Sequence, residues 1–139
     1  MIEIISMIHV APENISLQIS TTGMEISYSE LEGLSINLTV KNNSGILARA
    51  TILFPLVAEF ECISMNFYEL HHGVLKIDLT ENASAVDSHF YRNIDPHSYR
   101  KKLATYDPHA RFGLAEYFIP GNDSYLRVIG SKYQITETA

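Results

Sequence analysis

The sequence predicts a mostly β domain of the α+β class: an antiparallel sheet or sandwich carrying one clear helix near residues 95–105. Three observations predict it. Apolar residues recur at every second position through much of the first ninety residues, the period of half-buried strands. Glycine- and asparagine-rich turn chemistry separates those runs. Near Asp95 the apolar spacing changes to that of a helix. Regular strand–helix alternation is missing, so a doubly wound fold is not expected. With 139 residues, 46% of them apolar, the chain has material for one proper core and is expected to form a single domain over 1–139.

The elements follow in chain order. The opening stretch MIEIISMIHV carries an acid where a signal peptide needs positive charge, and its apolar run is short. His9 shares the face of Ile5 and Met7, as a core or edge histidine. In NISLQIS (14–20), Ile15, Leu17 and Ile19 oppose Ser16, Gln18 and Ser20, and Thr22-Gly23 is expected to turn the chain. LSINLTVK (34–41) follows the Glu32-Gly33 turn, with Leu34, Ile36, Leu38 and Val40 on one face. Asn43-Ser44-Gly45 is a hairpin signal, and ILARATILF (46–54), apolar on both sides, reads as a central strand.

In AEFECISMNF (58–67) the rhythm breaks. Ala58, Phe60 and Cys62 share a face opposite Glu59 and Glu61; beyond Cys62 the apolar positions shift to Ile63, Met65 and Phe67. A one-residue phase change predicts a β-bulge or bend near Cys62–Ile63. Cys62 itself reads as a small buried apolar residue, because acidic neighbours are the wrong setting for a reactive thiolate. As the single cysteine it excludes an internal disulfide and cysteine-based zinc fingers. His71 and His72 precede Gly73, where capping a hairpin is expected; adjacent side chains of an extended chain point apart and cannot share an ion. VLKIDL (74–79) alternates again. Two or three strands close the chain, LAEYFI (114–119), SYLRVI (124–129) and KYQIT (132–136), with turns at Pro120–Asp123 and Gly130-Ser131.

Between them stands a doubled tripeptide, Asp95-Pro96-His97 and Asp107-Pro108-His109. Two carboxylates and two imidazoles at matched positions suggest half a metal site or an acid–base pair. Helix physics offers another account. Aspartate caps the orphan amides of a first turn, and proline suits the next position because its missing N–H costs nothing there. The first copy directly precedes Tyr99, Leu103 and Tyr106, a narrow apolar stripe, and the second opens a turn that Gly113 closes. The expectation is helix punctuation, with no metal site and no cofactor.

The candidate catalytic set is Asp87, His89 and Tyr91. In a strand these project from one face, so a carboxylate orienting an imidazole beside a phenol has the parts for general acid–base work. The competing reading is an ordinary polar face opposite Val86, Ser88 and Phe90, and no nucleophile motif accompanies the three. Phosphate-binding glycine loops, the nucleophile elbow and histidine metal motifs are all missing.

Charge bounds the partners. Residues 1–90 carry eleven acids against three bases, a net of −8, while 91–139 carry seven bases against five acids, a net of +2. An acidic body repels phosphate backbones, so nucleic acid is not an expected partner. No eighteen-residue apolar stretch marks a membrane span, and the expected location is the cytoplasm. The leading expectation is a non-catalytic protein-binding chain: an inhibitor, immunity-type protein or complex subunit. It would engage another, basic protein or itself through a sheet face, a sheet edge or the helix. The alternative is a small hydrolase-like enzyme or ligand-binding domain built on the Asp87/His89/Tyr91 face.

Overall fold

A computed structural model describes residues 8–13, 15, 17–42, 44–64, 75–77, 90–121 and 123–138. Its strands are β1 (Ile8–Pro12), β2 (Gln18–Ser29), β3 (Gly33–Lys41), β4 (Leu47–Phe54), β5 (Val57–Ile63), β6 (Leu75–Ile77), β7 (Tyr91–Asn93), β8 (Ala115–Pro120), β9 (Tyr125–Gly130) and β10 (Gln134–Thr138). A 3-10 turn (Pro96–Tyr99) runs straight into the helix α1 (Arg100–Tyr106). The fold is thus mostly antiparallel β and, among the described residues, carries one short helical segment where the spacing of Tyr99, Leu103 and Tyr106 places it.

Six strands form one sheet in the order β5-β9-β8-β7-β1-β6, and four form a second in the order β10-β4-β3-β2. Among the described residues, every pairing is antiparallel except β1 with β6, which is parallel. The sheets share one core. Leu34, Ile36, Leu38, Val40, Ile52 and Phe54 from the smaller sheet meet Phe90, Tyr117, Ile119, Leu126 and Val128 of the larger side. Phe54 is the centre of this contact, with ring centroids 5.3 Å from Tyr117 and 5.8 Å from Tyr133. Burying alternate residues of both sheets is what the period of two prepares, and it makes a sandwich.

The hairpins follow their turn chemistry. Asn42 Oδ1 accepts from the amides of Ser44 and Ile46, 3.0 Å each, closing β3 on β4. Between β2 and β3 the chain approaches itself closely. A Cβ on Gly33 (φ +91) would stand 2.2 Å from the Phe54 carbonyl oxygen, so no other residue fits. β4 is interior, between β10 and β3, as its two apolar faces require.

Two sequence expectations need correction. Thr22-Gly23 does not end a strand: β2 continues through it, with its register against β3 shifting between Ile19 and Met24. Ile19 then pairs with Val40 and Met24 with Leu38, so both face the core although they are five apart. The left-handed φ of +116 at Gly23 supplies the irregularity. The bulge expected near Cys62–Ile63 lies instead at Ala58, where β5 shifts against β9 between Val57 and Glu59; from Glu59 to Ile63 the pairing is regular. The apolar phase change has another origin. Ile63 pairs with buried Tyr125, so the outward face of this sheet is itself covered. Met65 and Phe67 lie outside the described residues, as do His71, His72 and Gly73.

Candidate functional site

The displaced bulge has a chemical consequence. Val57 pairs with Gly130, and regular alternation would point Ala58 outward and Glu59 into the core. The extra residue turns Glu59 and Glu61 outward, beside Arg127 of β9. Arg127 Nε donates to Glu61 Oε1 at 2.6 Å, Nη1 to Glu116 Oε2 at 2.6 Å, and Nη2 to Glu59. Glu59 also accepts from Lys102 Nζ and, at 2.7 Å, from the Tyr106 hydroxyl, both on α1. Glu116 accepts from Asn93 Nδ2 at 2.9 Å, and the same amide donates to Ser98 Oγ at 2.7 Å. A chain of polar contacts therefore fastens the helical segment to the outer face of the larger sheet.

Its electrostatics follow from this wiring. Burial pushes the Glu59 carboxyl up, but the hydrogen bonds from Lys102, Tyr106 and Arg127 outweigh it and hold the group at about 2, from an ordinary 4.5. Burial works against the Arg127 cation, yet the three carboxylates raise its pKa above the ordinary arginine value. Every member is engaged by another, so the network holds elements together and presents no open base or nucleophile.

A second cluster lies at the β1–β7 side of the sandwich. Tyr133 Oη donates to Glu13 Oε1 at 3.0 Å, and Arg92 Nε stands 3.8 Å from Glu13 Oε2. Burial and then the Glu13 charge raise the Tyr133 phenol above its ordinary value, and burial followed by Glu13 raises Tyr117 likewise. Both phenols are therefore protonated hydrogen-bonding groups, unsuited to act as bases near neutrality. Beyond Arg92, β7 and β8 part and leave a shallow groove of about 420 Å³ between Arg92–Ile94 and Gly113–Ala115.

The doubled Asp-Pro-His is resolved by its hydrogen bonds. Asp95 Oδ1 accepts from the His97 amide at 3.2 Å, capping the 3-10 turn. Asp107 is buried at the C-terminal end of α1, and its carboxylate accepts from the amides of Arg111 (2.7 Å) and Phe112 (3.1 Å). His97 and His109 are exposed. Both aspartates thus spend their oxygens on the main chain. Among the described residues, no three His, Cys, Asp or Glu side chains are grouped to hold a metal ion.

Of the candidate catalytic set, Tyr91 is fully buried in β7. Asp87 and His89 lie outside the described residues. Cys62, expected to be buried, is exposed on the edge strand β5. Ala58 and Phe60 on its face pointed inward, and its register does face inward, but among the described residues no further strand covers it. The Glu59–Arg127–Glu116 network was not legible in the sequence, because its members are separated by up to 68 residues.

No protein-family model, no curated protein and no solved structure matches this chain. Among the described residues, no helix is long and apolar enough to cross a membrane.

Proposed function

We propose that this is a non-catalytic protein-binding chain whose partner is a basic protein. One observation carries the reading: seven glutamates divide into two groups. Glu13, Glu59, Glu61 and Glu116 are each committed to a cation or a phenol within the fold. Glu25, Glu30 and Glu32 are exposed on β2 and its hairpin, and among the described residues no ion pair engages them. No lysine or arginine occurs between residues 18 and 40, so this flank is negative without local compensation. Such a field steers oppositely charged partners and sets orientation on encounter.

The test is affinity purification with the intact chain at low salt, followed by a salt gradient. The expected result is a stoichiometric partner of high pI, released between about 0.1 and 0.5 M salt, where screening becomes strong. A partner of low pI, retention indifferent to salt, or recovery of no partner would overturn the reading.

A further inference from the structure

Directly paired residues of neighbouring strands present their side chains to the same face of a sheet. Tyr28 pairs with Leu34, Phe60 with Val128 and Cys62 with Leu126. Leu34, Val128 and Leu126 are completely buried between the sheets. Tyr28 and Phe60 therefore face the same interlayer space, yet they are 52% and 38% exposed, and Cys62 is exposed beside them. Their rings touch each other across the two sheets, centroids 5.6 Å apart. Among the described residues β2 ends one sheet and β5 ends the other, both on this side. The opposite side is sealed more fully, by the Tyr133–Glu13 hydrogen bond and by Tyr133 packing 4.7 Å from Phe90. Core-directed side chains left in solvent mark the place where, among the described residues, the sandwich lacks a covering strand.

From this we infer that the β2–β5 edge accepts an extended segment of the basic partner, added alongside β2 as a further strand. The inference rests on the proposed function and names its surface. β2 is twelve residues long and, among the described residues, ends its sheet, so its outer main-chain edge offers the hydrogen-bonding groups that strand addition uses. Alternation in the incoming strand then has two jobs. Apolar side chains on one face cover Tyr28, Phe60 and Cys62. Lysines or arginines on the other face and at its end meet Glu25, Glu30 and Glu32.

Charge selects this occupant over two others. Residues 1–7, 65–74 and 78–89 contain no lysine or arginine, so no such segment of the chain itself complements the acids. A second copy pairing antiparallel through β2 about Tyr28, the register that would cover that ring, would bring Glu25, Glu30 and Glu32 up to the same three acids, which like-charge repulsion disfavours.

The experiment is residue-resolved amide hydrogen exchange on the full chain with two synthetic peptides of equal composition. One alternates lysine and valine; the other holds its lysines and valines in separate blocks. The alternating peptide is expected to slow exchange of amides within Gln18–Ser29 about tenfold more than the block peptide does. The triple variant Glu25→Lys, Glu30→Lys, Glu32→Lys, all on exposed positions, is expected to lose that difference while β8 and β9 stay protected. Equal protection by both peptides, protection on another element, or none at β2 overturns the inference. So does a peptide-free chain whose outer β2 amides are already as protected as those of β3, since the edge would then be filled from within or by a second copy. Salt-sensitive capture of a basic protein with unmoved β2 amides leaves the basic-partner reading standing and removes only the edge.

Discussion

Arg127 on β9 and Glu116 on β8, diagonal neighbours in the larger sheet, are joined by a 2.6 Å hydrogen bond from guanidinium Nη1 to carboxylate Oε2. Glu116 is the most buried acid of the network, its side chain 7% exposed against 16% for Arg127. A pair in that position is costly to break one-sidedly, because the surviving charge keeps its desolvation and loses its partner.

Arg127→Met is therefore expected to destabilise the fold by about 3 kcal/mol in chemical denaturation. It strands Glu116 and loosens Glu59 and Glu61 together. Glu61→Ala, which removes the most exposed of the three acids, is expected to cost less than about 1 kcal/mol. Equal losses from the two substitutions would show that the network is not organised around Arg127.

Glu59 sets an acid-side dependence. Its folded pKa lies near 2 against an ordinary 4.5, so the folded state binds the proton less readily than the unfolded chain. The contribution to stability is complete above the ordinary value and is lost as pH falls through 4.5 toward 2. Urea midpoints measured across that window should fall more steeply for the native chain than for Glu59→Gln. Parallel profiles would remove Glu59 as a source of the dependence.

The two aspartates of the repeated tripeptide should differ in weight. Asp107 is buried and serves two amides, so Asp107→Ala is expected to cost about 2 kcal/mol. Asp95 serves one amide at 3.2 Å at the start of a short turn, and Asp95→Ala is expected to cost about 1 kcal/mol or less. His97→Ala and His109→Ala, at exposed positions, should stay within about 0.5 kcal/mol. A larger effect at either histidine, or one that depends on added zinc, would contradict the capping role.

Glycines 33 and 113 both have left-handed backbones, but their surroundings differ. At Gly33 a Cβ meets the Phe54 and Pro55 carbonyls at 2.2 and 2.9 Å; at Gly113 (φ +62) it meets nothing within 4 Å. Gly113→Ala is expected to cost about 1–2 kcal/mol, the left-handed penalty alone. Gly33→Ala should cost clearly more, over about 3 kcal/mol, since backbone must move. Thermal denaturation of the two variants side by side distinguishes strain from steric collision.

Much of this architecture was readable locally. Leu34, Ile36, Leu38 and Val40 announced β3 and its buried face. Asn42–Gly45 announced the hairpin, and Asp95-Pro96 the helical turn. Misreadings arose where a local signal had two structural outcomes. Thr22-Gly23 is turn chemistry, but inside a strand the same left-handed glycine builds an irregularity. The phase change around Cys62 resembled a bulge because the outward face of β5 gains an apolar position at Ile63, opposite Tyr125.

The sequence by itself determined β3, β4, β8 and β9, the β3–β4 hairpin, the capped helical turn and the acidic flank, since each depends on residues within one turn or one alternation of each other. Only tertiary structure decided which sheet each strand joined, the parallel pairing of β1 with β6, and the bulge at Ala58 that aims Glu59 toward Arg127. It alone left Tyr28, Phe60 and Cys62 facing inward yet exposed. Those outcomes require segments tens of residues apart to meet, and periodicity records which face a strand buries but not what it is buried against.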